Sequence, residues 1–124
     1  MKKIMLIEDD STMRSLLKTL LEIEGFAVVV VGDTQQEEKA IMEALQNEKP
    51  DCLIMDVNLR KASGINILKD IRKNKEIKNL KVIMSSGMDL RDQCLQSGAD
   101  VFLMKPYMPD DLIKYLRSLE RTNP

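Results

Sequence analysis

The chain has no histidine and no tryptophan among its 124 residues, and only two cysteines, four prolines and five glycines. Without imidazole there is no His metal ligand, no His general base, and no Ser–His or Cys–His nucleophile pair. Chemistry must therefore run on carboxylates, hydroxyls and amines. Cys52 falls in an apolar run and Cys94 on an expected helix face, and neither has the CxxC spacing of a zinc or redox site. Both read as buried, reduced thiols. Long apolar runs are missing too. The basic start Met1-Lys2-Lys3 leads into an apolar run at residues 4–7 only, far short of a signal-peptide core or a membrane span. A cytoplasmic protein with no membrane insertion is expected. Nor is there an excess of one charge: 19 Lys and Arg against 20 Asp and Glu leave a net charge of -1. That removes the electrostatic reason to expect direct nucleic-acid binding.

What is present is ordinary globular material, 44% hydrophobic and 31% charged. The length suits one core, so residues 1–124 are expected to form a single domain with no attached output domain.

Short apolar runs alternate with helical periodicity along the whole chain. Ile4-Met5-Leu6-Ile7 ends abruptly in Glu8-Asp9-Asp10, and Met13, Leu16, Leu17, Leu20 and Leu21 follow at helical spacing, with Asp10 or Ser11 as N-cap and Gly25 as stop. A β-branched strand at 26–31 precedes a helix expected from about Asp33, through Ala40, Ile41, Ala44 and Leu45, to a stop before Pro50. Cys52-Leu53-Ile54-Met55 ends at Asp56, with a loop to Gly64 and a helix carrying Ile67, Leu68 and Ile71. Val82-Ile83-Met84 runs into Ser85-Ser86-Gly87 and a helix with Leu90 and Cys94; the run at 101–104 leads into Lys105-Pro106 and a helix with Leu112, Ile113, Leu116 and Leu119. Five βα units in succession imply an α/β fold, a doubly wound five-stranded parallel sheet with helices on both faces.

In such sheets ligands gather beyond the carboxyl ends of the strands, and there the apolar runs give way to Glu8, Asp9, Asp56, Ser86 and Lys105. Three converging carboxylates repel one another unless a hard cation shares the site, and Mg²⁺ suits oxygen donors that must also accept phosphate oxygens. A carboxylate can attack phosphorus to give an acyl phosphate, with a metal and an ammonium on the transferring oxygens. Lys105 fits the second role and the Ser86 hydroxyl that of a hydrogen-bond donor.

At these stretches the chain resembles the response-regulator receiver domains of two-component systems, over essentially its full length. The resemblance lies in Leu6-Ile7-Glu8-Asp9-Asp10, Asp51-Cys52-Leu53-Ile54-Met55-Asp56, Val82-Ile83-Met84-Ser85-Ser86-Gly87 and Val101-Phe102-Leu103-Met104-Lys105-Pro106. It implies a flavodoxin-like (βα)5 fold with strand order 2-1-3-4-5. It implies Asp56 as phosphoacceptor, Asp9 as a direct Mg²⁺ ligand, Glu8 as a ligand through water, and the Asn58 carbonyl as a further ligand. Ser86 is similar to the switch hydroxyl, Lys105 to its ion-pairing partner, Phe102 to the aromatic whose rotamer reports the change, and Lys105-Pro106 to a cis peptide. The implied donor is a histidine kinase or histidine phosphotransfer protein, and the implied output is the surface of the fourth helix, fifth strand and fifth helix.

Plainer readings stand beside these. Asp10 and Asp33 read as caps or solvated loop charges, Phe102 reads equally as core, and the nine methionines read as core filler. Arg60 replaces the Pro common after the acceptor segment, so the 58–64 loop is expected to be differently shaped, with Arg60 and Lys61 read as solvated. Asn58 and Met88 occupy the two family positions that tune acyl-phosphate lifetime. Two other functions compete. Glu8-Asp9-Asp10-Ser11-Thr12 approaches the DxDxT signature of haloacid-dehalogenase-like phosphatases, though with Glu in the nucleophile's place; the other alternative is an unphosphorylated, receiver-like adaptor.

Overall fold

The computed structural model describes residues 2–31 and 37–121. Five strands alternate with five helices: β1 Lys3–Ile7, α1 Ser11–Ile23, β2 Ala27–Val30, α2 Glu38–Glu48, β3 Cys52–Asp56, α3 Gly64–Lys73, β4 Lys81–Ser86, α4 Arg91–Gln96, β5 Val101–Met104 and α5 Pro109–Arg121. All pairings are parallel and the order is β2-β1-β3-β4-β5, as the family resemblance implied.

A strand's side chains alternate between faces, and this period of two splits the core into two layers. Met5, Ile7, Leu53, Met55, Val82, Met84 and Phe102 pack with Ile41, Leu45, Leu68, Ile71 and Cys94 of α2, α3 and α4. Ile4, Leu6, Cys52, Ile54, Ile83 and Leu103 pack with Leu17, Leu21, Leu112 and Leu116 of α1 and α5. β3 lies centrally and is buried at every residue, which is why its sequence is a continuous apolar run and not an alternating one.

Local signals place the boundaries. The Asp10 carboxylate accepts from the Met13 N–H at 3.0 Å and caps α1, and Gly25, at φ 97°, turns the chain after it. The expected start of the second helix near Asp33 falls in residues 32–36, outside those described; α2 is described from Glu38 and ends at Glu48, with Lys49 as its C-cap just before Pro50. α4 is a short helix of six residues, and Leu90 caps it without entering it. Cys52 and Cys94 are buried free thiols, and burial pushes Cys52 up to about 12. The methionines need a correction. Met5, Met55 and Met84 fill the core, but Met88, Met104 and Met108 stand 63%, 48% and 64% exposed. Among the described residues no helix is long and apolar enough to cross a membrane.

Gly64 opens α3 directly against the end of β3. A Cβ there would collide with the Asp56 carbonyl oxygen and come within 2.9 Å of the Val57 backbone. Gly64→Ala is therefore expected to destabilise the fold by about 1–3 kcal/mol through overpacking, read as a lower urea midpoint. An unchanged midpoint would show that α3 retreats freely from the strand end.

Candidate functional site

The register decides which polar side chains meet. Leu6 lies opposite Ile54, Asp56 opposite Ser85, and Ser85 opposite Leu103. With side chains alternating, Glu8, Asp56, Ser85 and Lys105 all extend the α1/α5 face of the sheet, one step above the apolar layer of Leu6, Ile54, Ile83 and Leu103. The face turns from hydrocarbon to ionic within one residue pair.

Lys105 Nζ lies 2.7 Å from Asp56 Oδ1 and 2.8 Å from Glu8 Oε1. Glu8 Oε2 accepts from the Asp10 N–H at 3.1 Å, and Arg14 donates to the Glu8 carbonyl at 2.8 Å. Asp56 Oδ1 also accepts from the Ser85 hydroxyl at 2.9 Å. Both carboxylates are buried, at 3% exposure for Glu8 and 7% for Asp56. The Lys105–Pro106 peptide is cis, as expected.

Ser86 and Phe102 belong to the opposite, α2/α3/α4 face. Ser86 Oγ accepts from the Met88 N–H at 3.1 Å, and among the described residues it makes no hydrogen bond to Asp56. Phe102 sits opposite Met84, fully within the core, with the Arg91 guanidinium 5.5 Å from its ring centroid. Asp56, Asn58, Ser85, Ser86, Gly87 and Lys105 line one open cleft of ≈ 80 Å³. That is room for a group of a few atoms, not for a drug-sized molecule.

Asp9 is not turned in with the other two acids. Its Oδ2 accepts from the Arg60 N–H at 2.8 Å, and among the described residues no three metal-ligating side chains converge on one point. The contact comes from the Arg60 backbone and not from its side chain, so the departure from Pro leaves an N–H that ties the loop to Asp9. The loop is further closed by the Asn58–Ser63 bridge and by Gly64 N–H donating to the Val57 carbonyl at 2.8 Å.

One ammonium faces two buried carboxylates, and the electrostatics follow from that count. Burial pushes Asp56 up to about 6, Glu8 adds to the rise, and Lys105 opposes it. Burial also pushes Glu8 upward, but its hydrogen bonds with Asp56, Lys105 and the Asp10 N–H outweigh this and its net direction is down. Lys105 is depressed by burial yet held above the ordinary lysine range by both acids. Of the two acids, Asp56 is thus the one pushed upward and Glu8 the one held down.

The family model of the response regulator receiver domain matches residues 4–117. The chain belongs to this family. Among relatives, the receiver is 36% identical to the transcriptional regulatory protein CpxR of Klebsiella pneumoniae, over 98% of this chain and 50% of that protein. It is 30% identical to the DNA-binding response regulator MtrA of Mycolicibacterium paratuberculosis, over 98% of this chain and 52% of the other. The chain spans about half the length of the curated relatives it matches. Among solved structures, the Francisella response regulator 1452 receiver domain superposes with a TM-score of 0.87 at 28% identity, covering 99% of this chain and all of that one. The receiver is thus a signal-transduction module of the two-component type.

Of the residues expected from sequence, Asp56, Glu8 and Lys105 are joined directly; Ser86 and Asn58 line the same cleft, Asp9 faces the loop, and Phe102 lies below in the core. Ser85 was missed. Two serines end β4, and alternation requires one of them to share the Asp56 face, but only the β3–β4 register tells which.

The raised Asp56 value carries a stability consequence. The unfolded carboxyl ionises at lower pH than the folded one, so the folded state is favoured while Asp56 is protonated and loses that advantage as pH rises through about 6. In chelator, unfolding free energy is expected to fall between pH 5 and pH 8 by on the order of 1–3 kcal/mol more in the wild type than in Asp56→Asn. Parallel urea series at the two pH values check this, and equal falls would contradict it.

Proposed function

We propose that this receiver is a phosphorylation-activated switch. Asp56 accepts a phosphoryl group from a histidine kinase or histidine phosphotransfer protein with the help of Mg²⁺, and the surface formed by α4, β5 and α5 carries the signal. The observation that carries the reading is the Lys105 ammonium fixed 2.7 Å from Asp56 Oδ1 at the wall of a cleft sized for a small group.

In the transfer, an Asp56 carboxylate oxygen forms a bond to phosphorus as the P–N bond to the donor imidazole breaks and that nitrogen takes a proton. Lys105 neutralises the phosphoryl oxygens as charge develops. Among the described residues Ser86 uses its oxygen only as an acceptor from Met88, which leaves its proton for a phosphoryl oxygen. Drawing Ser86 toward the new dianion frees space on the face that holds Phe102 in β5, and the ring's movement would reach β4 and α4 through Met84 and Arg91. Leu95, Met104 and Tyr115 already stand exposed on α4, β5 and α5, with Met108 exposed just before α5, apolar surface of the kind partner proteins cover.

The donor set suits Mg²⁺: hard carboxylate oxygens from Glu8, Asp9 and Asp56, the Asn58 backbone carbonyl, and more negative than positive charge around Lys105. Asp9 and Asp56 with the Asn58 carbonyl would hold the ion, and Glu8 would support it through water. When bound, Mg²⁺ supplies positive charge to the phosphoryl oxygens. A phosphatase with Glu8 as nucleophile is disfavoured, because Asp56 lines the cleft beside Lys105 and Glu8 does not.

Incubation with acetyl phosphate and Mg²⁺ followed by intact mass is expected to show one added phosphoryl group. Chelator or Asp56→Asn should abolish it, and Lys105→Ala should slow it by roughly 10- to 100-fold. An unmodified wild type would leave the adaptor reading standing, and equal modification of Asp56→Asn would move the acceptor elsewhere.

A further inference from the structure

Ser85 is the residue of the cleft that neither fold nor family resemblance accounts for. It occupies β4 between Met84 and Ser86, 2% exposed, on the face where its predecessor Ile83 and its β5 neighbour Leu103 are hydrocarbon. A hydroxyl buried in such a layer is costly without a partner. Its partner is Asp56 Oδ1 at 2.9 Å, the oxygen that also receives Lys105. The Ser85 carbonyl in turn accepts from the Val57 N–H at 2.9 Å, so the backbone bearing this hydroxyl is tied to the residue after Asp56.

We propose that Ser85 is a positioning residue that shortens the lifetime of the Asp56 acyl phosphate by donating to the carboxyl oxygen that is not bonded to phosphorus. The proposal rests on Asp56 being the acceptor. With Ser85 and Lys105 both on Oδ1, the second oxygen, Oδ2, forms the bond to phosphorus. In hydrolysis the oxygen of water forms its bond to phosphorus while the Oδ2–P bond breaks. The electron pair returns to the Asp56 carboxylate, and the water proton passes to phosphate or solvent. Negative charge regrows on Oδ1 in that step, so a donor there stabilises the leaving carboxylate more than the acyl phosphate. In phosphorylation charge leaves the same oxygen, so the hydrogen bond gives no acceleration. Opposite effects on the two rates separate this role from mere packing, since a loosened site would slow both.

The test follows wild type, Ser85→Ala, Ser85→Thr and Ser85→Val through phosphorylation by acetyl phosphate and through decay of the phosphorylated protein after the donor is removed. Ser85→Ala is expected to slow decay roughly 3- to 10-fold, the differential worth of one hydrogen bond, with phosphorylation no slower than wild type. In the volume-matched pair, Thr should keep the faster decay and Val lose it. The proposal is overturned if Ser85→Ala decays at the wild-type rate or faster, if both its rates drop together, or if Thr and Val behave alike. A wild type that gains no phosphoryl group on Asp56 removes the acceptor reading itself, and the Ser85 role with it.

Discussion

Two carboxylates, Glu8 and Asp56, are buried at the mouth of a parallel sheet with Lys105 as the ammonium that bridges them, at 2.8 and 2.7 Å. Buried charges of one sign are tolerated only with countercharge or a proton, and a single ammonium does not supply enough. Burial, with Glu8 beside it, pushes the Asp56 carboxyl up to about 6, and a second cation would relieve the same crowding of charge. Under the proposed function, the same crowding of buried carboxylates would favour Mg²⁺, and a metal-neutralised Asp56 would then meet a phosphoryl group.

The sheet keeps two sets of side chains on separate faces. Glu8, Asp56, Ser85 and Lys105 share the α1/α5 side, while Ser86, Met84 and Phe102 share the side of α2, α3 and α4. The two sides meet at the consecutive pair Ser85–Ser86 in β4. Ser85 already bonds the carboxyl group, whereas Ser86 is parked on the Met88 N–H. A phosphoryl group on Asp56 would engage the second serine, and through it a core that packs at near-crystal density and shifts in discrete steps. Modification on one face can in this way alter the outline of the other.

Much of this was readable before any coordinates. The apolar runs and helical spacing were enough for five βα units, because buried parallel strands and amphipathic helices have distinct periods. Asp56 and Lys105 stood out because each directly follows such a run. The strand order was not readable from periodicity and came only with the family resemblance. Side-chain direction was not readable either. Whether Asp9 points at the site or at the Arg60 N–H, and whether Ser85 or Ser86 reaches Asp56, depends on loop closure and strand register, which no local pattern encodes. The exposed Met88, Met104 and Met108 were misassigned for a related reason: methionine's hydrophobicity does not say whether a partner or the core will cover it.

The most direct test is to map backbone amide NMR shifts on adding Mg²⁺ and beryllofluoride, a mimic of the phosphoryl group. If occupancy at Asp56 pulls Ser86 and releases Phe102, the shifts will extend through residues 86–117, across α4, β5 and into α5. Shifts confined to the neighbours of Glu8, Asp9 and Asp56 would show that the site binds its ligand without turning the switch.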